Sequence, residues 1–494
     1  MKRFFLFLSA IVLVATTNNA NAENISLKQA KEAGAHFMTH NTLHEVEASD
    51  LTLIYQITNP DLNIPACYFF NVADFGFVIM SGTTASDPII GFSDESNLDP
   101  DNMAPAMLDY VKLYSEIVID QQNADNAKPQ EPIDEWKTLL SNGLIGNTKA
   151  DQVVLMVTYW DQGSTTNPTF NMYCPKVGNE YCVTGCVATA VSQIMYYFRS
   201  PIHPKGTSEG MQTWSYVWTN GNRNLSIEFD TVFFDYAAMR AEVNAGSSAA
   251  VKHAVSSLCS AAGIATSMNY SPDGSGAYSA TVSSQMRRYF RYTRSGLVGR
   301  ANVGDEAFID TIRDELLKSR PLYMSGSSSV NGGVHASGHA WVCDGYMKGS
   351  NTNNYHMNWG WGKSSGNGFY NLVRNVMNPN SSYNFTVGQQ VIVNMVPASA
   401  DSTSIDFNTR AGITSPVSHV DFDNAYPNPA QTMVYLPYST TTQVDLQIYA
   451  IDGKLVRSQQ LSAGDGVAEI NVQNMPAGIY VYRAAGATGK FIVQ

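Results

Sequence analysis

The sequence predicts an α+β protein in which a two-lobed mixed domain follows a smaller α+β segment and precedes a small antiparallel β-sandwich. Three observations predict this. Helical and strand patterns alternate over residues 24–120. Two polar, proline-containing stretches, 120–135 (DQQNADNAKPQEPIDE) and 398–418, interrupt the apolar periodicity. Beyond the second stretch the chain changes to short alternating strands with turn punctuation. At 494 residues it is also too long for one core, and three globular units are the reasonable prior.

Met1-Lys2-Arg3 is a basic start, residues 4–15 are apolar, and Ala20-Asn21-Ala22 is a small-x-small cleavage signal, so residues 1–22 read as a removed signal peptide. The apolar run is too short to span a bilayer permanently, and no later stretch stays apolar for the ~20 residues a membrane helix needs. No cysteine lies near the cleavage site, which argues against a lipid-modified N-terminus. Residues 26–43 have helical character with Ser26 as cap. Residues 51–57, 67–72 and 76–81 read as strands, and 107–119 as a helix. Together residues 23–140 form the first unit, ending in the stretch 120–135, an expected exposed linker of the kind where proteolytic nicking concentrates. Residues 141–398 form the large domain and 399–418 a second linker. In residues 419–494, the strand 444–449 runs into the turn Asp452-Gly453-Lys454, and Lys490-Phe491-Ile492-Val493 forms a final edge strand.

Charged residues are only 15% of the chain, its net charge is −12, and it has no basic run, which excludes nucleic-acid binding as the main task. Cys174, Cys182 and Cys186, separated by seven and three residues, match no common zinc-ligand spacing. Export permits disulfides, and Cys174 with Cys182 would close a short loop and leave Cys186 free. Cys67 falls in the first unit. Cys259 and Cys343 read as core thiols on a helix and a strand.

In Cys182–Phe198, CVTGCVATAVSQIMYYF, the residues Val187, Val191, Ile194, Met195 and Phe198 recur at helical spacing. Cys186 heads that run behind Thr184-Gly185, a pair suited to a tight turn. Helix starts carry the positive end of the backbone dipole and favour anions, which is what a nucleophilic thiolate needs. About 150 residues on, Gly338-His339-Ala340-Trp341-Val342-Cys343 reads as a strand opened by a histidine. The segment Tyr355-His356-Met357-Asn358 is a second strand, running into the Gly-rich turn Trp359-Gly360-Trp361-Gly362. A cysteine on a helix start, with a histidine and an asparagine on later strands, is the chain order of papain-like peptidases.

Thr184-Gly185-Cys186-Val187-Ala188-Thr189-Ala190 with Gln193-Ile194-Met195, then Gly338-His339-Ala340, then Asn358-Trp359-Gly360-Trp361-Gly362, resembles the streptopain family of secreted cysteine proteases. The likeness continues through Trp160-Asp161-Gln162-Gly163 and Met268-Asn269-Tyr270-Ser271. It extends to Gly76-Phe77-Val78-Ile79-Met80-Ser81-Gly82 and Pro88-Ile89-Ile90-Gly91-Phe92-Ser93, which resemble that family's propeptide. The resemblance implies a zymogen with an inhibitory propeptide over 23–140 and a papain-like peptidase over 141–398, hydrolysing protein or peptide substrates with no metal or organic cofactor. It implies Cys186 as nucleophile and His339 as general base and acid; the rival His335 lies inside a Gly/Ser loop at 325–338. It further implies Asn358 as the residue that orients the imidazole, Trp359 as its cover against water, and Gln162 as an oxyanion donor beside the Cys186 N–H. Loops 325–338 and 268–279 would edge the cleft, and a hydrophobic residue just before the one whose bond is cut would be favoured.

Tyr426-Pro427-Asn428-Pro429, Asp452-Gly453-Lys454-Leu455, Met475-Pro476-Ala477-Gly478-Ile479-Tyr480 and the terminal Gly489-Lys490-Phe491-Ile492-Val493 resemble the C-terminal signal domain of type IX secretion substrates. This implies export through the periplasm to the surface, with the outer-membrane secretion machinery as a partner. The alternatives weighed are a Cys–His acyl transferase and a surface adhesin on a retired protease scaffold. For the sandwich, the alternative is an accessory binding module.

Overall fold

The computed structural model describes residues 22–124, 129–145, 148–204, 213–330, 334–347, 354–372, 389–398, 420–422, 425, 427–440, 443–451, 454–484 and 487–494. The chain divides into two compact units, to Ile405 and from Asp406. The expected signal peptide up to residue 21 and the linker 399–418 lie outside the described residues.

The first unit opens with α1 (Leu27–Asn41), β1 (Leu51–Asn59), β2 (Ile64–Val72), β3 (Gly76–Ser81), β4 (Ile89–Ser93), α2 (Pro105–Asn123) and α3 (Gln130–Leu140). Ser26 starts α1 through a capping box with Gln29, as its position before an amphipathic run demands. Strands β2 and β3 are apolar at almost every position because both faces are covered. Tyr68, Phe70, Val78 and Met80 pack under α1 and α3, while Phe69, Phe77 and Ile79 pack under α2. The expected linker 120–135 is mostly helix. Its first residues finish α2 and its last begin α3, whose Pro132, Ile133, Trp136 and Leu139 are buried. Trp136 anchors α3 with an indole N–H donated to the Ser86 carbonyl at 3.1 Å. The apolar spacing that makes this a helix begins inside the polar stretch and completes beyond it.

The chain continues through β5 (Gln152–Val154), the short hairpin β6 (Lys176–Val177) and β7 (Glu180–Tyr181), α4 (Cys186–Phe198), the hairpin β8 (Thr213–Trp218) and β9 (Arg223–Glu228), α5 (Ala249–Ala265) and α6 (Ser279–Phe290). It then forms β10 (Gly296–Gly299), α7 (Arg300–Val303), α8 (Asp305–Leu317), β11 (Leu322–Val330), β12 (Val334–Met347), β13 (Asn354–Asn358), β14 (Gly368–Asn371) and β15 (Gln390–Val393). Of the Gly/Ser stretch expected as a loop at 325–338, the described residues 325–330 and 334–338 are instead strand backbone of β11 and β12, paired from Leu322↔Cys343 to Val330↔Val334. All six cysteines are free thiols, so Cys174 and Cys182 do not pair.

The sheet of the N-terminal half and that of the large domain are one. Its order is β1-β2-β3-β4-β14-β13-β12-β11-β15-β10, with β5 on β12. The junction is antiparallel β4–β14 pairing, Phe92↔Phe369 and Gly91↔Tyr370. Gly91 is required there, since a Cβ would come within 2.7 Å of the Tyr370 ring. Helix α2 covers the seam, with Met107, Tyr110, Val111 and Tyr114 in the same apolar cluster as Trp341, Met357, Trp359 and Tyr370. The second unit is a sandwich of β16 (Val420–Phe422), β17 (Met433–Thr440) and β20 (Gly464–Asn471) against β18 (Val444–Ala450), β19 (Leu455–Leu461), β21 (Gly478–Ala484) and β22 (Ala487–Val493). Leu436 and Ile470 of one sheet meet Leu446, Ile448 and Phe491 of the other.

The seam also holds a buried charge cluster. His356 of β13 pairs through Nδ1 with Asp344 at 2.6 Å and through Nε2 with Glu95, just past β4, at 3.0 Å. Behind them Lys149 pairs with Asp94 at 2.6 Å. Burial disfavours the charged imidazole, but the two carboxylates outweigh it and hold His356 up to about 10. A histidine raised in this way adds stability that is complete below its ordinary value of about 6.5 and is lost as pH rises through about 10. In the full chain carrying Cys186→Ala, the gap in Tm between that protein and its His356→Gln variant should therefore narrow as pH is raised from about 7 to about 10. A gap that stays constant over that range would remove the charge argument.

Candidate active site

Helix α4 fixes the place of Cys186, the candidate nucleophile. Every residue after Cys186 in it is buried. Gly185 before it has φ 89°, and a Cβ there would lie 2.8 Å from the Met268 side chain and 2.9 Å from the Ser275 carbonyl, so conformation and space both require glycine. The approach to the helix is pinned by Val183 N–H to the Ser271 carbonyl at 3.1 Å and Thr184 N–H to the Gln162 carbonyl at 2.8 Å. The Cys186 side chain is thereby delivered half-exposed at the first turn. The other five thiols are buried. Burial pushes Cys182 to about 11 and Cys259 to about 12, and raises Cys67, Cys174 and Cys343 as well. Those five are held as unreactive thiols, and only Cys186 combines access with a helix start.

His339 stands on β12 near enough to Cys186 for the thiol to help raise its pKa. Its Nε2 also faces Asp109 Oδ2 of α2 at 3.4 Å. Burial alone would lower the histidine's pKa; hydrogen bonds and charge from Asp109 and Cys186 outweigh it and raise it to about 9. Asp109 is a carboxylate on the buried side of α2, beside Met107, Tyr110 and Val111. Sequence reasoning missed it, although one acid inside an otherwise apolar helical row was a readable signal.

Asn358 ends β13, 1% exposed. Its amide donates to the Thr158 carbonyl at 2.6 Å and hydroxyl at 3.1 Å, and its oxygen accepts the Gly360 N–H at 3.2 Å. No described hydrogen bond joins it to His339, whose carboxylate partner here is Asp109 instead. Trp359 is buried among Trp341, Tyr110 and Tyr370, with ring centroids at 5.2, 6.1 and 5.2 Å. Its indole N–H donates to the Gly366 carbonyl at 2.9 Å, so it braces the floor under α2. Gln162 is 8% exposed and joined by its carbonyl to Thr184, two residues before the nucleophile. The structure therefore brings Cys186, His339 and the Gln162 segment together. The His335 side chain lies outside the described residues. Among the described residues no cluster of three or more His, Cys, Asp or Glu could hold a metal ion, and no helix is long and apolar enough to cross a membrane.

A lone accessible thiol on a buried helix, a histidine on the facing sheet and a covering N-terminal unit define a papain-like cysteine peptidase carried with its propeptide. Residues 160–370 match the Peptidase C10 family, 22–118 the Spi protease inhibitor family, and 424–494 the secretion system C-terminal sorting domain. Streptopain of Streptococcus pyogenes serotype M1 is 29% identical over 373 residues, covering 72% of this chain and 86% of that protein. The thiol protease/hemagglutinin PrtT of Porphyromonas gingivalis is 26% identical over 419 residues, covering 82% of this chain and 45% of that one. The solved prointerpain A fragment of Prevotella intermedia is 25% identical with a TM-score of 0.54, covering 70% of this chain and 98% of the fragment. The chain belongs to the Peptidase C10 family of cysteine proteases. Its type IX sorting domain makes it a secreted or cell-surface protein.

The Asp109 contact makes a measurable demand on His339. In a Cys186→Ala precursor, where Asp109 still faces the ring, His339 should titrate above an ordinary histidine. Adding Asp109→Asn should bring that titration down, read by the ring-proton NMR shifts against pH. Equal midpoints in the two proteins would show that Asp109 does not hold the imidazolium.

Proposed function

We propose that Cys186 and His339 hydrolyse peptide bonds of protein substrates as a thiolate–imidazolium pair. The carrying observation is the half-exposed Cys186 at the α4 start, near enough to His339 for the thiol to help raise its pKa. The thiolate attacks the scissile carbonyl carbon. The C–N bond breaks as His339 protonates the departing amine, and water, deprotonated by His339, then releases the acid from the thioester. The Cys186 N–H and the Gln162 side-chain amide receive the oxyanion, a donor of that kind being worth about 3 kcal/mol. Asn358 orients the imidazole of the mature enzyme, and Trp359 keeps water from that side of the strand ends. A hydrophobic side chain in the substrate sits just before the residue whose bond is cut.

Residues 23–140 act as the inhibitor of this site, after a signal peptide at 1–22. The support is the shared sheet, α2 across the seam, and Asp109 paired with the histidine that must act on the thiol. Residues 419–494 are read by the outer-membrane secretion machinery.

Cys186→Ala should abolish casein hydrolysis and leave the precursor at full length; a Cys186→Ala protein that still digests casein ends the assignment. Deleting residues 419–494 should leave the recombinant enzyme active yet stop it short of the host cell surface. Normal surface amounts of the truncated protein would turn the sandwich into a binding module, and loss of activity would make it a support of the peptidase.

A further inference from the structure

Behind Asn358 lies a buried polar chain that the reaction as described does not use. Thr158 is 3% exposed and Gln193 is fully buried. The Asn358 amide donates to the Thr158 carbonyl at 2.6 Å and to its hydroxyl at 3.1 Å. The Thr158 hydroxyl donates to Gln193 Oε1 at 2.6 Å. The direction of this chain follows from chemistry. A main-chain carbonyl can only accept, so the Asn358 atom facing it is the NH₂ group. A hydroxyl that receives from that NH₂ turns its own proton onward, and Gln193 supplies the acceptor. With both amide hydrogens held on one side, Asn358 Oδ1 is left facing the other way, toward the Gly360 N–H, with lone-pair capacity for one more donor.

The three residues come from three parts of the site. Gln193 is on α4, seven residues and so about two turns below Cys186, on the same side of the helix. Thr158 precedes Gln162 by four residues in the segment that pins Thr184. Asn358 ends the strand beside β12. The relay also has a cost. Gln193 Nε2 is buried without a partner, and a buried unsatisfied donor of that kind costs about 1–3 kcal/mol. A glutamine kept with half its amide unsatisfied, while its other half fixes a threonine hydroxyl, points to a role beyond packing.

We propose that Thr158, backed by Gln193, is a positioning residue for peptide hydrolysis: it sets the Asn358 amide so that its oxygen, and not its nitrogen, is presented to the ring N–H of His339 in the mature enzyme. The inference rests on the reading of Asn358 as the imidazole's orienting group. In the precursor, where His339 faces Asp109, the acceptor is already set. Without the relay the amide keeps the Thr158 carbonyl and the Gly360 N–H but loses its second acceptor, so it is held less firmly and more often turns its nitrogen toward the ring N–H, a donor to a donor. The imidazolium then loses a hydrogen bond that favours its charged form, so its pKa falls and the basic limb of the pH–rate profile moves to lower pH.

The test uses the full chain, matured and assayed for kcat, KM and pH profile. Thr158→Val keeps shape and the carbonyl but removes the hydroxyl. It should lower kcat about tenfold with KM little changed, and shift the basic limb downward. Thr158→Ser should restore most of the rate and the limb. Gln193→Met probes the same relay from its far end, should Thr158→Val not fold, and is expected to shift the limb in the same direction. In an Asn358→Ala background, Thr158→Val should have almost no further effect, because the group it positions is gone. Independent, additive losses in that cycle, or an unmoved limb in both Thr158→Val and Gln193→Met, would overturn the relay. An Asn358→Ala enzyme with normal kcat and pH profile would instead bring down the role of Asn358 itself.

Discussion

A helix buried over every residue after its first, from Val187 to Phe198, can neither roll nor slide without disrupting the packing around it. Side chains such as Val191, Ile194, Met195 and Phe198 each contribute roughly 1.5–3 kcal/mol through burial, which makes α4 a fixed post. The demands on its neighbours follow. The turn before it must pass close to Met268 and Ser275, which leaves Gly185 as the residue that fits. The segment 158–163 must lie beside that turn, where it carries both Gln162 and Thr158. Strand β12, packed on α4, must bring its histidine to the helix's open end. The reactive group is thus exposed at the one place where its backbone has least freedom, which is how a nucleophile can be accessible without being mobile.

The N-terminal half is built into the same solid. It continues the sheet by two residue pairs, too few to bind by themselves, and the larger contribution comes from α2 lying across both halves of the seam. Cluster residues such as Trp341 and Trp359 belong to the large domain, while Tyr110 and Val111 belong to α2. Removing the N-terminal unit would therefore uncover apolar surface as well as His339: Asp109 reaches His339 because the apolar residues around it hold the helix down.

The helix start and the strand that carry Cys186 and His339 were legible in the sequence because their signals are local. The Thr184-Gly185-Cys186 start, the apolar spacing behind it and Gly338-His339-Ala340 each carry their meaning within a few residues. So do the capping box at Ser26 and the strands at 51–57, 67–72 and 76–81. What was illegible depends on distant partners. The stretch 120–135 looked like a linker because the apolar anchors of α3, Trp136 and Leu139, lie just beyond it and find their burial against the sheet and α1, and composition in a short window cannot show that. The Gly/Ser run at 325–338 looked like a loop because small polar residues carry no strand periodicity, yet the backbone pairing of β11 with β12 continues through it. Asp109 and Thr158 acquire their roles only from side chains hundreds of residues away.

The same long-range logic gives the acids of the N-terminal unit a common pattern. Two of its carboxylates, Asp109 on α2 and Glu95 beyond β4, each meet a histidine of the large domain, His339 on β12 and His356 on the adjacent β13. Both histidines are raised, to about 9 and about 10, so each carboxylate meets an imidazole that the fold favours in its charged form. The two contacts differ in what remains once the carboxylate leaves. His356 keeps Asp344 at 2.6 Å on its other nitrogen and so remains paired within the large domain. Among the described residues His339 has no second carboxylate of that kind, and beside Asp109 it faces Cys186. Taking the two N-terminal carboxylates away would leave His356 on Asp344 and His339 beside the Cys186 thiol.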